Sequence, residues 1–132
     1  MGEPAVSKKR VLVVDDDILT LEALKETLSP YYDVFRALQP KDGLMLAKSG
    51  RYDLIILDIS MPRMSGFDLI EHFRAEADPE YWDTPFILLS SFKSKKFIAR
   101  ATELGIEFYL DKPIDPEQLL LTTEYILHPD DR

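Results

Sequence analysis

The sequence contains no cysteine, which excludes disulfides and thiolate-bound metals and permits a reducing compartment. It also has no apolar run near the roughly 18 to 20 residues that a membrane-spanning helix needs. The opening "MGEPAVSKKR" lacks the apolar segment of a secretory signal, and Val6 stands where a myristoylation site at Gly2 requires Ser or Thr. These absences lead us to expect a soluble, cytoplasmic protein with no membrane partner. Positive charge is short as well. Sixteen basic residues against 24 acidic ones leave a formal net charge of -8, which repels phosphate backbones and argues against direct nucleic-acid binding. No repeat with a period of about 20 to 50 residues and no low-complexity tract is present, so solenoid and disordered-array readings gain no support.

What is present suits one core. The 132 residues, 45% of them apolar, fill one domain and fall short of two. We expect that domain over residues 9–127, with a disordered leader over 1–8 and a tail over 128–132. The run Val11 to Val14 suits a strand buried on both faces. After it, Ile18, Leu21, Leu24 and Leu28 recur at helical spacing before Pro30. "YDVFRA" reads as a weaker strand, and "PKDGLMLAKSG" as a short helix with Pro40 at its start and Gly50 beyond its end. "YDLIILD" is a third strand, followed by a loop with Met61, Pro62, Met64 and Gly66. In the next helix Phe67, Ile70, Phe73 and Ala77 form the expected apolar stripe. "DPEYWDTP" reads as loop, "FILLSS" as strand, "KSKKFIARATELG" as helix, and "IEFYLDKP" as the fifth strand. The last helix has Asp115 as its N-cap and Pro116 in its first turn.

Five strands alternating with five helices imply a doubly wound α/β fold, flavodoxin-like, with a parallel sheet covered by helices on both faces. In such sheets the working crevice lies beyond the carboxyl ends of the strands, where the strand order reverses. Asp15, Asp16 and Asp17 follow the first strand, Asp58 closes the third, Ser90 and Ser91 close the fourth, and Lys112 closes the fifth. With the strand order 2-1-3-4-5, Asp15, Asp16 and Asp58 crowd together. Two carboxylates about 4 Å apart repel by roughly 4 kcal/mol at an effective dielectric near 20, so the cluster invites a cation. Without thiols or nearby imidazoles, its hard oxygen donors suit Mg2+ or Mn2+. Such an ion keeps coordination positions for a phosphoryl group, whose other oxygens suit the Lys112 ammonium and the Ser90 hydroxyl. Asp58 is then the candidate nucleophile, a carboxylate that forms an aspartyl phosphate.

Together "VLVVDDD", "LIILDISMPRMSG", "FILLSS" and "FYLDKP" resemble the receiver domain of two-component response regulators, and the resemblance covers about residues 9 to 127. It implies that Asp58 is the phosphoacceptor, Asp16 a direct metal ligand, Asp15 a ligand acting chiefly through water, and the Ser60 backbone carbonyl a further ligand. It makes Ser90 the switch hydroxyl, Lys112 the phosphate-binding lysine, Tyr109 the aromatic switch residue, and Lys112–Pro113 a cis peptide. Ser60 and Phe92 occupy the variable positions that line the path of the hydrolytic water, and Ser91 stands where the family more often has Ala. The implied partners are a histidine kinase or a histidine phosphotransfer protein. An output domain or protein, or a second copy meeting the face of helix 4, strand 5 and helix 5, would receive the signal. The resemblance implies a signalling switch domain that assists its own phosphorylation and dephosphorylation, and not an enzyme.

Plainer readings stand beside these. Asp17 is chiefly a helix N-cap, and Asp58 alone would pass for a turn residue. Tyr109 also suits simple sheet packing, Met61 and Met64 suit core filling, and "KSKKFIAR" suits a solvated helix face. His72 reads as a solvated helix residue and His128 as part of the tail. A phosphatase of the haloacid dehalogenase type wants a second Asp where this chain has Ser60, and a flavin module wants a Ser/Thr/Gly-rich loop where it has "DDDILT". A docking module of the same fold that is never phosphorylated is the remaining alternative.

Overall fold

A computed structural model describes residues 8–131. The leader expected over 1–8 therefore lies outside the described residues except for Lys8, whose Nζ donates to the Ser29 carbonyl at 3.3 Å. Five parallel strands, β1 (Arg10–Val14), β2 (Asp33–Ala37), β3 (Leu54–Asp58), β4 (Phe86–Ser90) and β5 (Phe108–Asp111), form one sheet in the order β2-β1-β3-β4-β5. They alternate with α1 (Ile18–Leu28), α2 (Pro40–Ser49), α3 (Gly66–Glu76), α4 (Lys95–Glu103) and α5 (Pro116–Leu127). This is the doubly wound fold that the alternation predicts. Among the described residues no helix is long and apolar enough to cross a membrane.

Successive strand side chains point to opposite faces, and the core divides accordingly. Leu12, Val14, Ile55, Leu57, Phe86 and Leu88 pack with α2, α3 and α4 through residues such as Ala47, Phe73 and Phe97. Val11, Val13, Leu54, Ile56, Ile87 and Leu89 pack with α1 and α5 through Leu21, Leu24, Leu28 and Leu119. Fully burying a side chain of this kind contributes roughly 1.5–3 kcal/mol, which is why β1, β3 and β4 read as continuous apolar runs. The edge strand β2 is only partly covered and reads more weakly.

Helix starts are set locally. Asp17, Ser65, Ser94 and Asp115 each accept a backbone N–H in the first turn of the helix that follows, and Ser65 forms a reciprocal capping box with Asp68. Three expectations need correction. Ile18 is 57% exposed, and the buried stripe of α1 is Leu21, Leu24 and Leu28 alone. On α3 the buried stripe is Leu69, Ile70 and Phe73, while Phe67 is only half-buried and packs on Phe97. The loop before β4 contains a 3-10 turn, Pro79–Tyr81, capped by Asp78. After α5, His128 caps the helix and its Nε2 lies 3.2 Å from the Tyr32 hydroxyl; a second 3-10 turn follows at Pro129–Asp131.

Candidate functional site

Strand register assembles the site. Val14 pairs with Leu57, so the next residues, Asp15 and Asp58, are neighbours at the end of the sheet. Asp58 pairs with Leu89, which places Ser90 one step beyond, and Ser90 pairs with Asp111, which places Lys112 beside it. A carboxylate oxygen from each of Asp15, Asp16 and Asp58 lies within 4.8 Å of the others. Asp15 and Asp58 are buried and Asp16 is exposed, so the cluster has two shielded charges and one open to solvent.

Lys112 reaches across this cluster. Its Nζ donates to Asp15 Oδ2 at 3.0 Å and lies 3.6 Å from Asp58 Oδ2. The Asp17 N–H donates to Asp15 Oδ1 at 2.9 Å, and the Ser60 N–H donates to Asp58 Oδ1 at 3.2 Å. Burial, followed by the field of Asp15, pushes the Asp58 carboxyl up to about 6. Burial also raises Asp15, against the Asp17 N–H and Lys112, which favour its charged form. Burial opposes the charge on Lys112, but its bond to Asp15 and the fields of Asp15 and Asp58 outweigh that and raise its value. One ammonium therefore faces two buried carboxylates and a third at the rim. The donor set is oxygen-rich and excess-negative, and it fits a hard divalent cation.

Gly66 holds the loop after β3 tight. A Cβ there would lie 2.7 Å from the Asp58 carbonyl oxygen and 3.0 Å from Ile59 Cα, so the backbone approach that seats Asp58 requires glycine. The Gly66 N–H donates to the Ile59 carbonyl at 3.0 Å.

The side chains of the other predicted residues are engaged elsewhere or open to solvent. Ser90 is buried, and its hydroxyl turns to its own loop, donating to the Phe92 carbonyl at 2.6 Å and accepting the Phe92 N–H at 3.1 Å. The Ser60 and Ser91 side chains are exposed, and Phe92 is 78% exposed. Tyr109 is half-buried, its ring edge-on to Phe97 at 5.5 Å and 5.4 Å from Lys93 Nζ. The Lys112–Pro113 bond is cis.

A family model described as the response regulator receiver domain matches residues 11–124. The chain belongs to the response regulator receiver domain family. This receiver is 30% identical over 118 residues to the transcriptional regulatory protein CiaR of Streptococcus pneumoniae, covering 89% of this chain and 51% of that protein. It is 32% identical over 114 residues to hybrid signal transduction histidine kinase D of Dictyostelium discoideum, covering 86% of this chain and 7% of that protein. The receiver thus spans about half or less of the length of these relatives. Among solved structures, the chemotaxis protein CheY4 of Vibrio cholerae superposes with a TM-score of 0.84 at 32% identity, covering 92% of this chain and 100% of that one.

Sequence reasoning missed the surroundings of Tyr109. Lys93 pairs with Asp111 at 3.0 Å while also lying over the Tyr109 ring, and Phe97 completes the contact. Lys93 lies in the loop before α4 and Phe97 on α4, and the packing of this segment against β5 brings them to Tyr109, so no spacing in the sequence signals them.

Proposed function

We propose that this receiver accepts a phosphoryl group from the phosphohistidine of a histidine kinase or phosphotransfer protein onto Asp58, and that the modification switches the face made by α4, β5 and α5. The observation that carries the reading is the convergence of Asp15, Asp16 and Asp58 within 4.8 Å, with Lys112 spanning Asp15 and Asp58.

An Asp58 carboxylate oxygen attacks phosphorus, the new O–P bond forms as the P–N bond breaks, and the imidazole leaves with the electron pair. Lys112 is positioned to meet the charge on the transferring oxygens. Asp16, Asp15 and Asp58, together with the Ser60 carbonyl, are the residues that would hold Mg2+ or Mn2+, which supplies charge neutralisation for the phosphoryl oxygens when bound. The Ser60 N–H keeps one Asp58 oxygen oriented before transfer.

Ser90 and Tyr109 carry the response. The Ser90 hydroxyl trades its Phe92 bonds for a phosphoryl oxygen, which draws in the loop after β4 and frees Tyr109 to turn inward from the site between Phe97 and Lys93. Ser60, Ser91 and Phe92, all exposed at the mouth, would set how readily water reaches the aspartyl phosphate. The switched face would then meet an output domain, a separate target or a second copy, in a cytoplasmic setting.

Intact-protein mass spectrometry after acetyl phosphate treatment tests the reading. A single phosphoryl adduct that requires both Mg2+ and Asp58 is expected. An adduct that persists in EDTA or in Asp58→Ala would overturn it. So would the lack of any adduct, paired with failure to bind beryllofluoride, which would leave a docking module.

A further inference from the structure

A groove of about 650 Å3 opens beside the exposed Asp16 carboxylate, between the β2–α2 connection and the loop after β3. That volume is typical of a small-molecule site. Leu38, Pro62 and Met64 give it apolar walls, and Lys41 and Arg63 line it as well. Both cations are exposed, and among the described residues neither has a carboxylate within ion-pair distance. Arg63 sits at φ 71, a left-handed conformation that residues with a Cβ rarely adopt. The Met64 N–H, donating to the Pro62 carbonyl at 2.8 Å, closes the turn around it. The tight turn fixes the Arg63 backbone at the groove wall. Among the described residues the groove's one acid is Asp16, which belongs to the acidic cluster, so with a cation in place there the described lining keeps only the positive charge of Lys41 and Arg63.

We propose that this groove is a subsite for the leaving-group half of a small phosphodonor. It would select acyl phosphates that carry an apolar body and a second anionic group, with Lys41 and Arg63 reading that anion. The inference rests on Asp58 being the phosphoacceptor. In the step, an Asp58 oxygen bonds to phosphorus while the bond between phosphorus and the acyl oxygen breaks. The acyl carboxylate leaves with the electron pair along the groove, and no proton is required. Leu38, Pro62 and Met64 shield the apolar body from water, and the two cations offset the repulsion that a chain of net charge -8 exerts on a second negative charge.

The test compares benzoyl phosphate with 4-carboxybenzoyl phosphate as donors to the full chain in Mg2+, following the rate of the Asp58 adduct by mass spectrometry. The wild type should react about fivefold faster with the carboxylated donor, the gain expected from ion pairs at a partly exposed site. In Lys41→Gln/Arg63→Gln that ratio should fall to one or below. As a second readout, 4-carboxybenzoate added with Mg2+ should shift the backbone amides of Leu38, Gln39, Lys41, Arg63 and Met64 in the wild type but not in the double variant. Equal rates with the two donors, a ratio unchanged in the double variant, or shifts confined to other residues would overturn the subsite while leaving Asp58 phosphorylation standing. No adduct from either donor, while acetyl phosphate still labels Asp58, would overturn the subsite alone; no adduct from any of the three, with no binding of beryllofluoride, would remove the phosphoacceptor reading and the subsite with it.

Discussion

Asp58 works against the fold that holds it. It is 3% exposed beside another buried carboxylate, and its carboxyl is pushed up to about 6 from an ordinary 3.8. A carboxylate whose folded value is raised destabilises the native state above that value, and the cost is relieved as pH falls towards the unfolded value. Between pH 6 and 4 the native state therefore binds the proton that the unfolded chain has lost, and stability rises on acidification. Asp58→Asn should raise the stability of the metal-free protein at pH 7.5 by on the order of 2 kcal/mol. The gain over wild type should shrink as pH drops through 6 towards 4; denaturant melts in EDTA across that range measure it, and a gain independent of pH would contradict the argument. Lys112 has the opposite role. Lys112→Met leaves Asp15 and Asp58 without their shared ammonium and should destabilise the metal-free protein by about 3 kcal/mol, much of which Mg2+ restores. Urea melts with and without Mg2+ check both parts. These residues were legible in the sequence because each closes or immediately follows a strand. The Ser90–Phe92 bonds were not legible, since the rotamer of a hydroxyl leaves no trace in residue spacing.

At the scale of elements, the apolar runs of β1, β3 and β4 and the caps at Asp17 and Asp115 were readable because burial on both faces and capping chemistry are local. Helical stripes were less so. Spacing placed Ile18 and Phe67 on buried faces, but which flank of a helix meets the sheet is decided by its docking angle, and that left Ile18 in solvent and exchanged Phe67 for Leu69. Helix α5 carries one internal mismatch. Thr123 is buried, and among the described residues its Oγ1 has no hydrogen-bond partner. Replacing an unsatisfied buried hydroxyl by a methyl removes a desolvation penalty at nearly constant volume, so Thr123→Val should stabilise the domain by about 1 kcal/mol. Thermal unfolding of the variant checks this, and a loss of stability would show that the hydroxyl is satisfied in solution.

On the scale of the whole molecule, the sheet order brings one strand end after another to a common edge, and α4 and β5 link that edge to the face that carries Tyr109. A perturbation at Asp58 should therefore spread in one direction. Adding beryllofluoride with Mg2+ should shift the amides of residues 90–92 and of β5 around Tyr109, while the C-terminal part of α2, residues 44–49, keeps its spectrum. Shifts limited to residues around Asp58 would separate the acidic centre from the switch face. The position of the phosphoryl group decides whether Asp58 is the acceptor. Borohydride reduction of the acetyl phosphate-treated protein converts an aspartyl phosphate to homoserine, and peptide mass spectrometry reads its position. Homoserine at position 58 is the predicted result; label on Ser90, Ser91 or another carboxylate, with Asp58 unmodified, would contradict it.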